Sequence, residues 1–252
     1  MRITILGSGT AVPDGKRNSS GYVVETAEVK ILLDCGAGIV HALPRYGIDW
    51  ERLSHIFISH FHVDHIGELA SLFFAFRHGM KTSRTAPLTL LAPQGIDRIL
   101  ELLKEAFGKN LFTPKFPFQM VMLEPGDEYA LSDECRLTVA KTPHTDESLA
   151  AKIESRGKII GYTGDTAYSE TLAQFFYQAD LLICECSFKE PVANVPHLSI
   201  DEVAQLAALA EVKKLLVTHC YFAVESEPLQ QQIGAGYSGQ VSIAEDGWQL
   251  EI

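Results

Sequence analysis

The stretch Ile58-Ser59-His60-Phe61-His62-Val63-Asp64-His65-Ile66-Gly67 gathers three imidazoles and a carboxylate within six residues. It continues an apolar, strand-like run, His55–Ser59, and leads into an apolar pattern that reads as a helix, Ile66–His78. His60 and His62 stand two residues apart, so in extended chain their rings point to the same side. Where the chain turns toward the helix, Asp64 and His65 can face the same point from another direction. Neutral imidazoles and carboxylates are the ligands that suit zinc and similar divalent ions. With nine histidines in 252 residues, so dense a cluster is poorly explained as accident.

Outward from this segment, short β-branched runs alternate with helical patterns. The expected strands are Arg2–Leu6, Gly21–Glu25, Lys30–Asp34, His55–Ser59, Leu88–Leu91, Gln119–Leu123, Leu137–Thr142, Lys158–Tyr162, Leu181–Cys184 and Lys214–Val217. The expected helices are Gly38–Tyr46, Ile66–His78, Gly95–Phe107, Ser169–Tyr177, Ile200–Leu209 and Pro228–Gly234. Early strands connect by turns and later ones through helices. That mixture suits an α/β fold in which two mixed sheets pack face to face with helices on the outer faces, an αββα sandwich. No repeat, low-complexity tract or linker interrupts the chain, so residues 1–252 read as one domain. The irregular stretch Lys109–Pro117 reads as a packed surface loop, with Phe112 and Phe116 as an alternative pocket wall.

The formal charge of −11 argues against broad electrostatic binding of nucleic acid, which calls for a basic stripe. A small anionic substrate stays open, because bound cations supply positive charge that side-chain counting misses. Five cysteines, Cys35, Cys135, Cys184, Cys186 and Cys220, with no charged-then-apolar leader, read as reduced thiols in a cytoplasmic protein. No apolar run is long enough for a membrane span.

The cluster resembles the signature H-x-H-x-D-H of the metallo-β-lactamase superfamily, and the further motifs of that family occur in order. His144 in Thr142-Pro143-His144-Thr145, Asp165 in Gly161-Tyr162-Thr163-Gly164-Asp165-Thr166 and His219 in Leu215-Leu216-Val217-Thr218-His219 each follow a strand. The resemblance implies two divalent metal ions, zinc foremost, with manganese or iron as alternatives. His60, His62, His144 and Asp165 would hold one, and Asp64, His65, Asp165 and His219 the other. It also implies a nucleophilic hydroxide shared by the two ions. Asp34, in Leu32-Leu33-Asp34-Cys35-Gly36, resembles a family aspartate that orients a ligand histidine; capping of the turn is the plainer alternative. Asp165 stands where lactamases that open antibiotics carry cysteine, and His65 is absent from most of those, so that activity is not expected.

Two features resemble the ribonuclease Z-like branch. Leu6-Gly7-Ser8-Gly9-Thr10-Ala11-Val12-Pro13, followed by Lys16-Arg17-Asn18, looks like its opening motif. Cys184-Glu185-Cys186-Ser187-Phe188 with His197-Leu198-Ser199 looks like its paired glutamate and histidine motifs. The resemblance implies that Glu185, His197 and Asp64 are catalytic, with the carboxylate keeping the His197 imidazole protonated to assist the leaving group. A capping or surface role before the Ser199 helix is the alternative for His197. The long tRNA-clamping arm of that branch is missing: the interval between His144 and Asp165 has room only for two strands and a turn. The expected function is therefore a phosphodiesterase acting on a small anionic or cyclic phosphodiester. RNA stands second among partners, no membrane is expected, and a homodimer is what the resemblance implies. The rivals are a thioester, lactone or sulfate-ester hydrolase of the same superfamily, and a metal-loaded binding protein. His41, His55 and His78 read as structural. Arg77, His78, Lys81 and Arg84 read as a solvated surface, and Cys184 and Cys186 as buried thiols.

Overall fold

The computed structural model describes residues 1–81 and 83–252. The chain opens with three antiparallel neighbours, β1 (Arg2–Gly7), β2 (Gly21–Glu25) and β3 (Lys30–Leu33). Helix α1 (Ile39–Arg45) leads to β4 (His55–Phe57), which pairs parallel with β3. Next come α2 (Val63–Ile66), α3 (Leu69–His78), β5 (Leu88–Pro93), α4 (Ile96–Phe107) and β6 (Phe118–Leu123). An antiparallel run follows, β7 (Glu128–Ser132), β8 (Cys135–Lys141), β9 (Leu149–Ser155) and β10 (Lys158–Tyr162). The chain then alternates through α5 (Glu170–Phe175), β11 (Leu181–Glu185), α6 (Ile200–Leu209), β12 (Lys214–Thr218), α7 (Ser226–Gly236) and β13 (Gln240–Ile243), with these strands parallel. The last strand, β14 (Gln249–Glu251), returns to β1.

The result is two seven-stranded mixed sheets, ordered β14-β1-β2-β3-β4-β5-β6 and β13-β12-β11-β10-β9-β8-β7. Side chains alternate across each strand, and central strands such as β3 and β11 are buried on both faces. In β3, Ile31 and Leu33 turn inward to meet Leu137, Ile153 and Ile160 of the other sheet, while Leu32 turns outward to α1 and α3. In β11, Leu181 and Ile183 turn inward, while Leu182 and Cys184 pack beneath α5 and α6. Three apolar layers thus separate helix, sheet, sheet and helix, the expected αββα arrangement.

Several expectations need correction. The single helix Ile66–His78 is two pieces, α2 and α3, meeting at Gly67 and Glu68. A Cβ on Gly67 would lie 2.4 Å from the Val63 carbonyl oxygen, so the chain closes on itself there more tightly than another residue permits. Strands β7, β9, β13 and β14 lie outside the expected strand ranges, though β9 and β10 fill the His144–Asp165 interval as two strands and a turn. Phe112 and Phe116 are buried against Phe73 and Phe76, so 109–117 is a packed segment, and Phe116 with Lys115 also lines a surface cavity beside Phe76 and Arg84. Among the described residues no helix is long and apolar enough to cross a membrane.

Candidate metal centre

The segments that leave the carboxyl ends of β4, β8, β10, β11 and β12 converge on one crevice, the place where open α/β sheets present ligand-binding loops. Residues beyond β4 bring His60, His62, Asp64 and His65; those beyond β8, β10 and β12 bring His144, Asp165 and His219. Donor atoms of His60, His62, His144 and Asp165 lie within 4.8 Å of one another, as do those of Asp64, His65 and His219. Asp165 faces both groups. Its Oδ2 is 3.7 Å from His60 Nε2 and 3.8 Å from His144 Nε2, while Oδ1 is 3.2 Å from His65 Nε2 and 3.6 Å from His219 Nε2.

Four imidazoles have their outer nitrogen fixed by an acceptor. Nδ1 of His60 meets Ser59 Oγ at 3.0 Å, that of His65 meets Asp34 Oδ2 at 2.7 Å, that of His144 meets the Pro196 carbonyl at 2.9 Å, and that of His219 meets Ser187 Oγ at 3.2 Å. Each acceptor keeps the proton on Nδ1 and turns the Nε2 lone pair inward, which is how ligand histidines are oriented. The inward nitrogens then crowd together: His65 Nε2 is 3.4 Å from His219 Nε2, and His144 Nε2 is 3.1 Å from His62 Nδ1. Within this crowd, His60 Nε2 and Asp165 Oδ1 are buried without a hydrogen-bond partner. Buried polar atoms rarely stay unsatisfied. Two orphaned donor atoms at the centre of a convergent imidazole and carboxylate set fit divalent cations of the zinc type.

Electrostatics agree with that fit. Burial lowers His60 well below the ordinary imidazole range, with His65 adding to the effect. For Asp165, burial acts to raise the carboxyl, yet His219 and His65 hold it well below the usual carboxylate range. Burial likewise works against ionisation of Asp64, but its contact with His219, 3.2 Å away, leaves it lowered.

Asp34 does more than cap a turn. Its Oδ1 accepts from the Ser59 amide at 2.7 Å, and its Oδ2 accepts from Ser59 Oγ, His65 Nδ1 and the Tyr162 hydroxyl at 2.7, 2.7 and 2.6 Å. Asp34 and His219 both adopt left-handed backbone, φ 59° and 58°, a strained setting that recurs at functional sites. Gly36 permits a close approach beside them, since a Cβ there would lie 2.0 Å from the Asp64 carbonyl oxygen.

Beside the cluster, His197 Nδ1 donates to Glu185 Oε1 at 2.9 Å and lies 4.0 Å from Asp165 Oδ2. The helix after it is capped by Ser199 and Glu202, not by His197. Burial raises Glu185, but four donors converge on it: the Thr166 amide, His197, the Ser187 hydroxyl and the Leu198 amide. That is the surrounding of an ionised carboxylate. Burial pulls His197 down, yet its bond to Glu185 and the Glu185 charge leave it raised.

The opening motif lies behind the site. The Ser8 carbonyl accepts from the His219 amide at 3.1 Å, while Arg17 donates to Ser8 Oγ at 2.8 Å and to the Ala244 carbonyl at 2.6 Å. His41 and His78 are exposed, and buried His55, lowered by burial to about 4, meets Ser54 Oγ. All five cysteines are free. Arg84 is not simply solvated, for its guanidinium covers the Phe116 ring at 4.6 Å and donates to the Glu51, Ala86 and Pro87 carbonyls. Sequence reading missed Ser59, Tyr162, Ser187 and the Pro196 carbonyl. Only Ser187 carried a signal, as the hydroxyl two positions after Glu185.

Comparison with known proteins gives a consistent result. The family model described as "Anti-Pycsar protein Apyc1" matches residues 1–237. The chain is 28% identical to the "Probable metallo-hydrolase YhfI" of Bacillus subtilis (strain 168), covering 100% of both, and 26% identical to a ribonuclease Z of Mycobacterium bovis, covering 100% of this chain and 98% of that one. The crystal structure of YhfI superposes with a TM-score of 0.85 at 26% identity, covering 100% of this chain and 98% of the other. The short form of human tRNase Z has the same fold, with a TM-score of 0.78 at 23% identity, covering 100% and 99%.

Proposed function

The chain belongs to the anti-Pycsar protein Apyc1 family, in the ribonuclease Z-like branch of the metallo-β-lactamase superfamily, and from that we propose a metal-dependent phosphodiesterase acting on a small or cyclic phosphodiester. The observation that carries the bond type is the Glu185–His197 pair, 2.9 Å apart and set against Asp165. A plain esterase or lactonase of the same ligand set has no need of a carboxylate-held imidazole in this place.

His60, His62, His144 and Asp165 Oδ2 would hold one ion, and Asp64, His65, His219 and Asp165 Oδ1 the other; zinc is the first choice for such donors. When bound, the ions supply activated water and neutralise charge gathering on phosphorus. Asp64 belongs to the ligands and, next to His219, helps hold the water's position. His197, with Nδ1 tied to Glu185, keeps Nε2 free to give a proton to the departing alkoxide. Glu185 keeps that imidazole cationic and correctly turned. The whole chain reads as a single domain, and pairing of two copies through the α3 side, where Phe74 is exposed, belongs to the same reading.

Ribonuclease activity is the second reading, favoured by the full-length match to ribonuclease Z. The short β9–β10 passage and the net charge of −11 favour the smaller substrate. A panel of bis(p-nitrophenyl) phosphate, a cyclic nucleotide, a precursor tRNA, a thioester and a lactone, each with zinc- and manganese-loaded protein, separates the readings. Diesters turned over far faster than acyl substrates are expected. A preference for the thioester or lactone contradicts the proposal.

A further inference from the structure

Asp34 carries more hydrogen bonds than the ligand-bearing segment alone supplies. Ser59 and His65, both on that segment, provide three: the Ser59 amide to Oδ1, and Ser59 Oγ and His65 Nδ1 to Oδ2, each at 2.7 Å. The fourth comes from the opposite sheet, where the Tyr162 hydroxyl at the end of β10 donates to the same Oδ2 at 2.6 Å. A carboxylate oxygen offers roughly two lone-pair sites, so three donors crowd Oδ2 while Oδ1 takes the Ser59 amide.

Asp34 would be satisfied without Tyr162, and the position would also hold phenylalanine. The Tyr162 ring is buried and packs on the Tyr22 ring at 5.3 Å, while the Tyr22 hydroxyl has its own partner in Thr218 Oγ1 at 2.6 Å. Burying a hydroxyl costs free energy unless it is bonded, and phenylalanine avoids that cost. Burial and the charge of Asp34 push ionisation of Tyr162 well above the ordinary tyrosine range, so its hydroxyl keeps its proton and donates.

The consequence falls on His65. An outer carboxylate that accepts from a ligand imidazole raises its basicity and strengthens its hold on an ion. Donors to one oxygen compete for the same charge, so the Tyr162 bond draws charge from Oδ2 and eases its pull on His65 Nδ1–H. His65 Nε2 carries the effect to the centre of the cluster, 3.2 Å from Asp165 Oδ1.

We propose that Tyr162 is a positioning residue that tempers Asp34. It fixes the carboxylate from the second sheet and limits how strongly His65 grips its ion. Weaker donation from His65 leaves that ion more able to polarise water and substrate. This rests on the metal assignment above and not on which bond is cleaved. Loss of a mere brace loosens the ion, whereas loss of a competing donor tightens it.

Tyr162→Phe keeps the ring and removes the donor. In protein with isotope-labelled histidine, magnetic resonance reads the His65 Nδ1 proton, identified by its absence in His65→Gln. That proton should move downfield in Tyr162→Phe as its bond to Asp34 strengthens. Chelator competition should find the ion most weakened by Asp34→Ala held about 3- to 30-fold more tightly in Tyr162→Phe. A proton that stays or moves upfield, or an ion held equally or more loosely, overturns the proposal and leaves Tyr162 a brace. If the wild-type chain binds no zinc, the metal assignment fails. The proton shift, read equally in metal-free protein, then still upholds or overturns the tempering of Asp34 by Tyr162.

Discussion

The two halves of the ligand cluster are built differently. In the half formed by Asp64, His65 and His219 every side chain is buried, and the imidazoles are turned by a carboxylate and a hydroxyl that are buried too, Asp34 and Ser187. In the half formed by His60, His62 and His144, His62 is exposed, and the His144 ring, though buried, takes its orientation from the carbonyl of Pro196 in a loop. The first half is shaped before any ion arrives, because its partners belong to the core. The second is completed at the surface, where solvent and substrate enter. Ion affinity should therefore be greatest in the buried half, and exchange fastest in the open one.

Asp165 faces both halves, so its removal should have the largest effect. Asp165→Ala is expected to lower kcat/KM on bis(p-nitrophenyl) phosphate by at least about a thousandfold and to reduce metal content in both halves, read by elemental analysis. An active variant with both ions retained contradicts the assignment. His197→Ala removes none of the assigned ligands, although its ring borders Asp165, His144 and His219. Turnover should fall about 100- to 10,000-fold with metal content kept, the signature of a lost proton donor and not of a lost ligand. Asp34→Ala should weaken both ions unequally, the more tightly held about 10- to 100-fold in chelator competition and the other, which Asp34 reaches only through Ser59 and His60, by less. Equal weakening of both ions breaks the comparison.

The smallest effect concerns pH. Glu185 keeps the His197 proton to higher pH than an ordinary imidazole would. Turnover that needs this proton falls as pH rises through the raised value. Glu185→Gln removes the charge but leaves an acceptor, so the falling alkaline limb should move to lower pH. A limb that stays in place assigns it to another group.

Much of this site was legible because its ligands follow strands, where residue spacing sets direction. His60, His62, Asp64 and His65 are nearly contiguous, and His144, Asp165 and His219 each stand a few residues past a strand. Of what orients them, only Asp34 was legible, through the resemblance of its motif. Tyr162 reaches Asp34 across the contact between the two sheets, and no spacing within a sequence announces such a meeting. The Pro196 carbonyl is a backbone group, so residue type carries no trace of its role. In the fold, the missed edge strands β7, β13 and β14 have partly exposed, mixed faces that blur the alternation on which strand reading depends. The over-long helix had the opposite fault: apolar spacing runs on through Gly67, and only the tight closure on Val63 divides it.

The most direct test of the central claim is a zinc titration of metal-free protein, followed by turnover of bis(p-nitrophenyl) phosphate. Two half-sites joined by Asp165 predict little activity after the first equivalent per chain and a steep rise through the second. Full activity at one equivalent, or none after two ions are bound, would contradict a dinuclear phosphodiesterase.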